Sequence, residues 1–515
     1  MITVSVFAML GTFVLASACA CVIFRFVGGP LPTQGERIRL AVLSLGIGPV
    51  LLAYFLTAYL TLFPGGSAGT AIFSVLAALV GTAAVVYSRQ RSAALVWADI
   101  RLAAAHLLSV RRLNPVSMVG LAVLLFAVGA LAFAMIVVPL TDNDALEYAG
   151  SAKLVFEEMS ARRYPFVHLT NADDYYGPWS HPMGYVALQT WGFLLQGNAE
   201  DGLIIRFITP WFAVCTALAI VHAIGGMRRT LGAWGAVLLL ATPAYLFTTM
   251  QSHIDQIRMF FLVAAVLCVP ILARAPDWRR VVGLGLLAGS GIFAHSLGIL
   301  SCLLISALVF LCVRGTFWRK TLIATTVSVV AVLLVSYRLI DNVLVFGSPI
   351  ADFGAVPVYA LPQLDWEAYF REARGIATFA DQWLVGFLAG LSQPKIYGIT
   401  YWLFLCMLFV FVRRQRRSNA MLIAMSGSSE SNGQLLKKLL TLTSSTRIEW
   451  LALLVVLQFY AMVFVSVVLG MDAFIKNYRY MMTTLPLLVI FVMKSFSPFV
   501  ESWLSALNAT GREDS

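Results

Sequence analysis

Residues 116–148 read VSMVGLAVLLFAVGALAFAMIVVPLTDNDALEY, an apolar stretch that runs straight into a short acidic one. From Leu113 to Thr141 the chain carries no charged side chain. A helix of about 20 apolar residues crosses a bilayer core, so 116–138 is long enough to span. Asp142 and Asp144 then stand just beyond the membrane boundary. How often this pattern repeats decides the fold.

It repeats from end to end. Hydrophobic residues make up 60% of the 515 and charged residues only 12%, against about 25% charged in soluble domains. Apolar segments lie near 2–24, 39–62, 70–87, 116–138, 203–223, 232–250, 256–273, 281–294, 298–313, 321–339, 397–412, 449–470 and 481–496. They predict an all-α polytopic membrane protein with about 13 transmembrane helices. The run 281–313 is divided because Gly289, Gly291 and His295 interrupt it. Residues 2–24 lack a basic leader, so they read as the first membrane helix rather than a cleaved signal. Segment 183–197, MGYVALQTWGFLLQG, is apolar but short, which predicts a helix lying on the outer membrane surface.

The basic residues orient the chain. Net charge is +11, but the Lys and Arg residues are scattered at helix ends and form no basic domain, which argues against nucleic acid. Arg25, Arg37, Arg39, Arg111, Arg112, Arg228, Arg229, Arg279, Arg280, Arg319, Lys320, Arg413 and Arg414 fall on one side if the segments above all cross. The positive-inside rule makes that side cytoplasmic, as in a bacterial inner membrane. Loops 140–202 and 340–396 are then external and carry most of the acids. Residues 1–115 form three additional helices, 116–412 a core, 413–448 a Ser-rich cytoplasmic linker with an interfacial LLKKLL, and 449–515 two final helices with a tail. All seven cysteines lie in apolar stretches without metal-ligand spacing, which predicts neither disulfides nor a metal centre from them.

Chemistry is expected in the external loops. Asp142 and Asp144, at i and i+2, suit a divalent cation held between them, a base with its supporting acid, or the cap of the following helix. Tyr175, Tyr176, Trp179 and Tyr185 surround His181, an arrangement that suits a sugar, a lipid headgroup or an aromatic belt. Asp255 and Arg258 open the segment QSHIDQIRMFF, where capping also accounts for the acid. Lys395 and Arg479 stand at the external starts of later helices, placed to hold a lipid phosphate or to snorkel.

Several of these pieces occur in one order. The chain from about 116 to 315 resembles the GT-C membrane glycosyltransferases, most nearly the branch of lipid A aminoarabinose transferases and protein O-mannosyltransferases. That branch places D-E-x-x-Y after a membrane helix; here the match is Asp144, Glu147 and Tyr148, with Ala145 in place of the second acid. Its K-P-P-x-x-Y-Y stretch is matched loosely by Ser180-His181-Pro182-Met183-Gly184-Tyr185, with His181 in place of Lys. Gly197, Arg206, Arg228, Arg229, Asp255, the NVLVFGSP of 342–349, and Arg479 with Tyr480 follow in sequence.

The resemblance implies a GT-C-like core whose external loops carry short interfacial helices. It implies an inverting transfer from a polyprenyl-phosphate-linked sugar donor to a glycan, lipid or protein acceptor, at the external face among membrane lipids. Asp144 would be the general base, with Asp142 and Asp255 tuning it or binding metal. His181, Arg258, Lys395 and Arg479 would face the leaving phosphate, and Tyr148, Tyr176 and Tyr185 the substrate. No tightly bound cofactor is expected, and a divalent metal at Asp142 and Asp144 stays open. A transporter or flippase of a lipid-linked glycan, and an O-antigen-type ligase or polymerase, are the alternatives.

Overall fold

The structure, a computed structural model, describes residues 2–27, 33–90, 98, 100–102, 104–105, 114–141, 143–162, 164, 181–226, 231–346, 394–426, 447–468 and 478–513. All regular elements among them are helical. In chain order they are α1 (Ile2–Val27), α2 (Gln34–Leu62), α3 (Ala68–Gln90), α4 (Pro115–Val137), α5 (Asn143–Glu158), α6 (Gly184–Gln196), α7 (Ile208–Ile224) and α8 (Gly232–Leu240). Then come α9 (Pro243–Met250), α10 (Asp255–Arg274), α11 (Trp278–Ala294), α12 (Gly298–Cys312), α13 (Phe317–Leu334) and α14 (Ser336–Phe346). The last are α15 (Pro394–Tyr397), α16 (Thr400–Ser426), α17 (Ile448–Val468), α18 (Tyr478–Met481) and α19 (Leu485–Glu513).

Nine helices among the described residues are long and apolar enough to cross a membrane. A tenth arises if α8 and α9, bent by 68°, are one broken span. The chain is therefore a multi-pass membrane protein. The difference from about thirteen falls at three places. α11 and α12 have only 17 and 15 residues, short of the roughly 20 that a crossing takes. They pack against each other around a tight turn in which Gly298 backs onto the Gly291 carbonyl, leaving no room for a Cβ. Most of segment 397–412 lies in a longer helix, α16, which begins at Thr400 and continues through its arginines to Ser426. Residues 427–446, with the LLKKLL portion, lie outside the described residues.

α10 is the hub. Of its apolar window 94% is buried, whereas α3, α4 and α13 are 22% buried and so form the rim. Leu125, Phe126 and Phe133 of α4 point outward, which costs nothing where lipid tails replace water as the solvent. The N-terminal helices are built into this core: Trp211 of α7 donates to the Leu45 carbonyl at 2.9 Å, and its ring meets Phe13 edge-on.

The expectation for 183–197 is corrected. α6 forms, but it is enclosed by α1, α2 and α5, and twelve of its thirteen residues are buried. Trp191 donates to Thr12 Oγ at 3.0 Å. A helix apolar all round is stable inside protein rather than half-immersed at an interface, where one face must be polar.

Candidate functional site

The chain leaves α4 through an extended stretch, Val138–Thr141, that is fastened on both sides. Arg206 Nη2 donates to the Val138 carbonyl. Gln251 Oε1 accepts from the Thr141 N–H at 2.9 Å, while its Nε2 donates to the Pro139 carbonyl at 3.3 Å. The exit of α4 is thus tied to the turn after α9. α5 follows at once, with Asp144 in its first turn, where a carboxylate is favoured by the helix dipole.

Asp144 does not stand alone. Its Oδ2 accepts from Arg479 Nη1, which comes from α18 at the far end of the chain. The same Nη1 lies 2.6 Å from His253 Nδ1. With a guanidinium as the only donor between them, Nδ1 must accept, and the imidazole proton belongs on Nε2. His253 occupies the turn between α9 and α10, next to Ser252, whose φ of +57° is unusual for a residue with a Cβ. Tyr185 of α6 holds that turn by donating to the Ser252 carbonyl at 2.6 Å.

A second acid–base pair lies beside the first. Asp255 opens α10 and accepts from Arg258 Nη2 at 2.6 Å, with both side chains at most 2% exposed. Its carboxylate is spent on this pair rather than on capping its own helix. His295, at the end of α11, places Nε2 3.9 Å from Asp255 Oδ1. His181 then closes the cluster: its ring lies edge-on to His295 at 4.4 Å and beside Tyr148 at 5.8 Å. Tyr148 in turn meets Tyr185 at 5.3 Å. Ser296 approaches His181 Nδ1 with its hydroxyl at 2.8 Å and its N–H at 3.4 Å.

Burial pulls the His181 imidazole down to about 4, against the opposing pull of Asp144 and Asp255. At that value the imidazole is neutral at pH 7. Burial and the nearby Arg258 and Arg479 push His295 down as well. What the cluster offers chemically is one partly exposed carboxylate, the guanidinium of Arg479 that touches it, and a set of imidazole and phenol groups.

Of the sequence candidates, Asp144, Tyr148, His181, Tyr185, Asp255, Arg258 and Arg479 converge here, from α5, the turn before α6, α6, α10 and α18. Asp142 and Tyr176 lie outside the described residues, and so does the side chain of Lys395. Among the described residues no group of three or more His, Cys, Asp or Glu side chains is arranged to hold a metal ion. His253, His295, Gln251 and Ser296 are site residues that the sequence reading did not single out. His295 had a signal, since an ionisable residue that interrupts an apolar run is a functional candidate. Compared with family models, with curated proteins and with solved structures, the chain shows no match.

Proposed function

We propose that this protein is an inverting glycosyltransferase that moves a sugar from a polyprenyl phosphate to a glycan, lipid or protein acceptor of the cell envelope, at the external face of the inner membrane. One observation supports this most: Asp144, 41% exposed just beyond a membrane helix, touches Arg479. A lipid-anchored phosphate stays at the interface, so the base and the phosphate-binding cation must meet there too.

In this reading the acceptor hydroxyl gives its proton to Asp144 while its oxygen attacks the anomeric carbon. The bond from that carbon to the phosphate oxygen breaks, and the electron pair leaves with polyprenyl phosphate. Negative charge grows on the departing phosphate, where a fixed cation stabilises the transition state more than the ground state. Arg479 is the cation for that task. While it holds Asp144, Arg479 occupies the carboxylate that would take the acceptor's proton. The incoming phosphate competes for Arg479 and so frees Asp144 when substrate is present.

Arg258 is already neutralised by Asp255 in a dry setting, and it acts on the site as part of a rigid dipole. Tyr148 and Tyr185 form the floor under His181.

The test is mass spectrometry of envelope glycans from cells with and without the gene, followed by turnover of the donor so identified with purified protein. Asp144→Asn should abolish sugar transfer while leaving insertion and binding of polyprenyl phosphate intact. Near-normal turnover by that variant would remove Asp144 as the base. A transporter would move the lipid-linked sugar without consuming it.

A further inference from the structure

His253 is the member of the cluster to which the transfer reading gives no task. It is fully buried and stands in the turn between α9 and α10. That turn is fastened from several sides. The His253 N–H donates to the Thr248 carbonyl at 3.0 Å and the Ser252 N–H to the Thr249 carbonyl at 3.3 Å, which folds the backbone onto α9. Tyr185 grips the Ser252 carbonyl, and Gln251 reaches the exit of α4. Gln256 Nε2 of α10 donates to Thr248 Oγ at 2.9 Å and to the Tyr245 carbonyl at 3.2 Å. These bonds hold Ser252 at its φ of +57°, which a residue with a Cβ rarely adopts. Backbone strain of this kind persists where the surroundings over-determine it, and it gathers where a functional group has to be held in place. The residue next to the strained position is His253.

Arg479 is the opposite case. It stands on α18, a helix of four residues, and its side chain is long and rotatable, so fixing its guanidinium costs rotamer entropy. A contact to Asp144, whose side chain is 41% exposed, fixes a point but no direction. Nη1 carries two hydrogens in the guanidinium plane. One goes to Asp144 Oδ2 and the other to His253 Nδ1, 2.6 Å away. Two acceptors on one nitrogen set the plane of the group as well as its place, and one of them sits in a turn that cannot drift. The two also differ in charge. An imidazole that accepts through Nδ1 with its proton on Nε2 is neutral, so it holds the guanidinium without cancelling its charge.

We infer that His253 is a positioning residue: its Nδ1 holds the Arg479 guanidinium beside Asp144, aligned for the phosphate of a polyprenyl-phosphate substrate. The role toward phosphate rests on the transfer reading; the contact with Arg479 does not. When phosphate draws Arg479 away from Asp144, the bond to His253 keeps the cation in the site. A group held in advance loses less freedom on meeting its ligand, which is how a supporting residue contributes to affinity.

The experiment compares His253→Leu with His253→Asn in the full chain, purified in detergent. Leucine and asparagine share one branched shape, so packing losses are common to both, and only asparagine keeps an acceptor near the place of Nδ1. His253→Gln, whose amide falls nearer the place of Nε2, is a second variant without that acceptor should the leucine protein not fold. The first readout is the rate at which phenylglyoxal modifies Arg479, followed by peptide mass spectrometry with no substrate present. It should rise about tenfold in His253→Leu, as expected on losing one hydrogen bond to a charged group, and stay near wild type in His253→Asn. The second is binding of undecaprenyl phosphate, which should weaken about tenfold in His253→Leu and return in His253→Asn. Equal modification of Arg479 in wild type and in the folded variant without the acceptor would overturn the assignment, and so would asparagine behaving as leucine does. A wild-type protein that does not bind undecaprenyl phosphate would sink the transfer reading instead, while the modification rates still decide whether His253 holds Arg479.

Discussion

Asp144 with Arg479 and Asp255 with Arg258 are the same two side chains joined in the same way, in one cluster. They differ in how they are made and in what surrounds them. Asp255 and Arg258 are three residues apart on one helix and are at most 2% exposed. Asp144 and Arg479 are 335 residues apart, and their side chains are 41% and 16% exposed. A buried pair has lost its water, so opening it strands a charge; a half-exposed pair can exchange partners at little cost. The first is therefore built to stay closed and the second to open. In a site that handles a charged substrate, the working groups are those whose partner can leave.

That contrast can be broken experimentally. The largest effect is expected for Asp144→Asn, which should lower transfer by about 10²–10⁴-fold, the usual contribution of a general base, with no change in thermal stability in detergent. A comparable loss of stability would place Asp144 with the structural pair. Arg258→Met should do the reverse: by leaving Asp255 buried and uncompensated it should destabilise the protein by about 3–5 kcal/mol, read as a lowered unfolding midpoint.

Arg479→Gln sharpens the comparison. It should weaken binding of polyprenyl phosphate by about 10- to 100-fold, as expected for removing one charged hydrogen-bond donor, while the folded protein persists. Unchanged affinity would mean that Arg479 belongs to Asp144 alone.

The pH dependence gives a smaller, signed effect. His181 sits at about 4 in the fold, below its ordinary value near 6.5. The unfolded chain therefore takes up a proton first as pH falls, so the contribution to stability is full above about 6.5 and is lost progressively between there and about 4. A His181→Asn variant should show a flatter fall in unfolding midpoint across that window. The same slope in both proteins would contradict the neutral, buried imidazole. The smallest change is expected for Tyr185→Phe, which removes the bond to the Ser252 carbonyl; about 1 kcal/mol of stability should go. Transfer should fall with it only if the turn carrying His253 must be held for Arg479 to be placed.

The sequence was informative wherever the physics is one-dimensional. Length and apolarity of a segment decide whether it can span, so α4, α10 and α17 were legible at once. The position of the acid just beyond α4 was legible too, but residue type left metal binding, a base and a helix cap open. Segment 183–197 was misplaced because its apolar character is the same for a helix covered by lipid and one covered by α1, α2 and α5. His181 was set beside the leaving phosphate because it stands where the family pattern has Lys, whereas burial among Tyr148, His295 and Ser296 lowers its actual pKa.

Hydropathy alone thus determined that this chain is a helical, multi-pass membrane protein with acids gathered next to helix ends. Which acid is paired with which arginine, and which imidazole is kept neutral, was decided only by the tertiary structure. Ion pairing and desolvation depend on distances between side chains hundreds of residues apart, and no local pattern in the sequence encodes the meeting of Asp144 with Arg479.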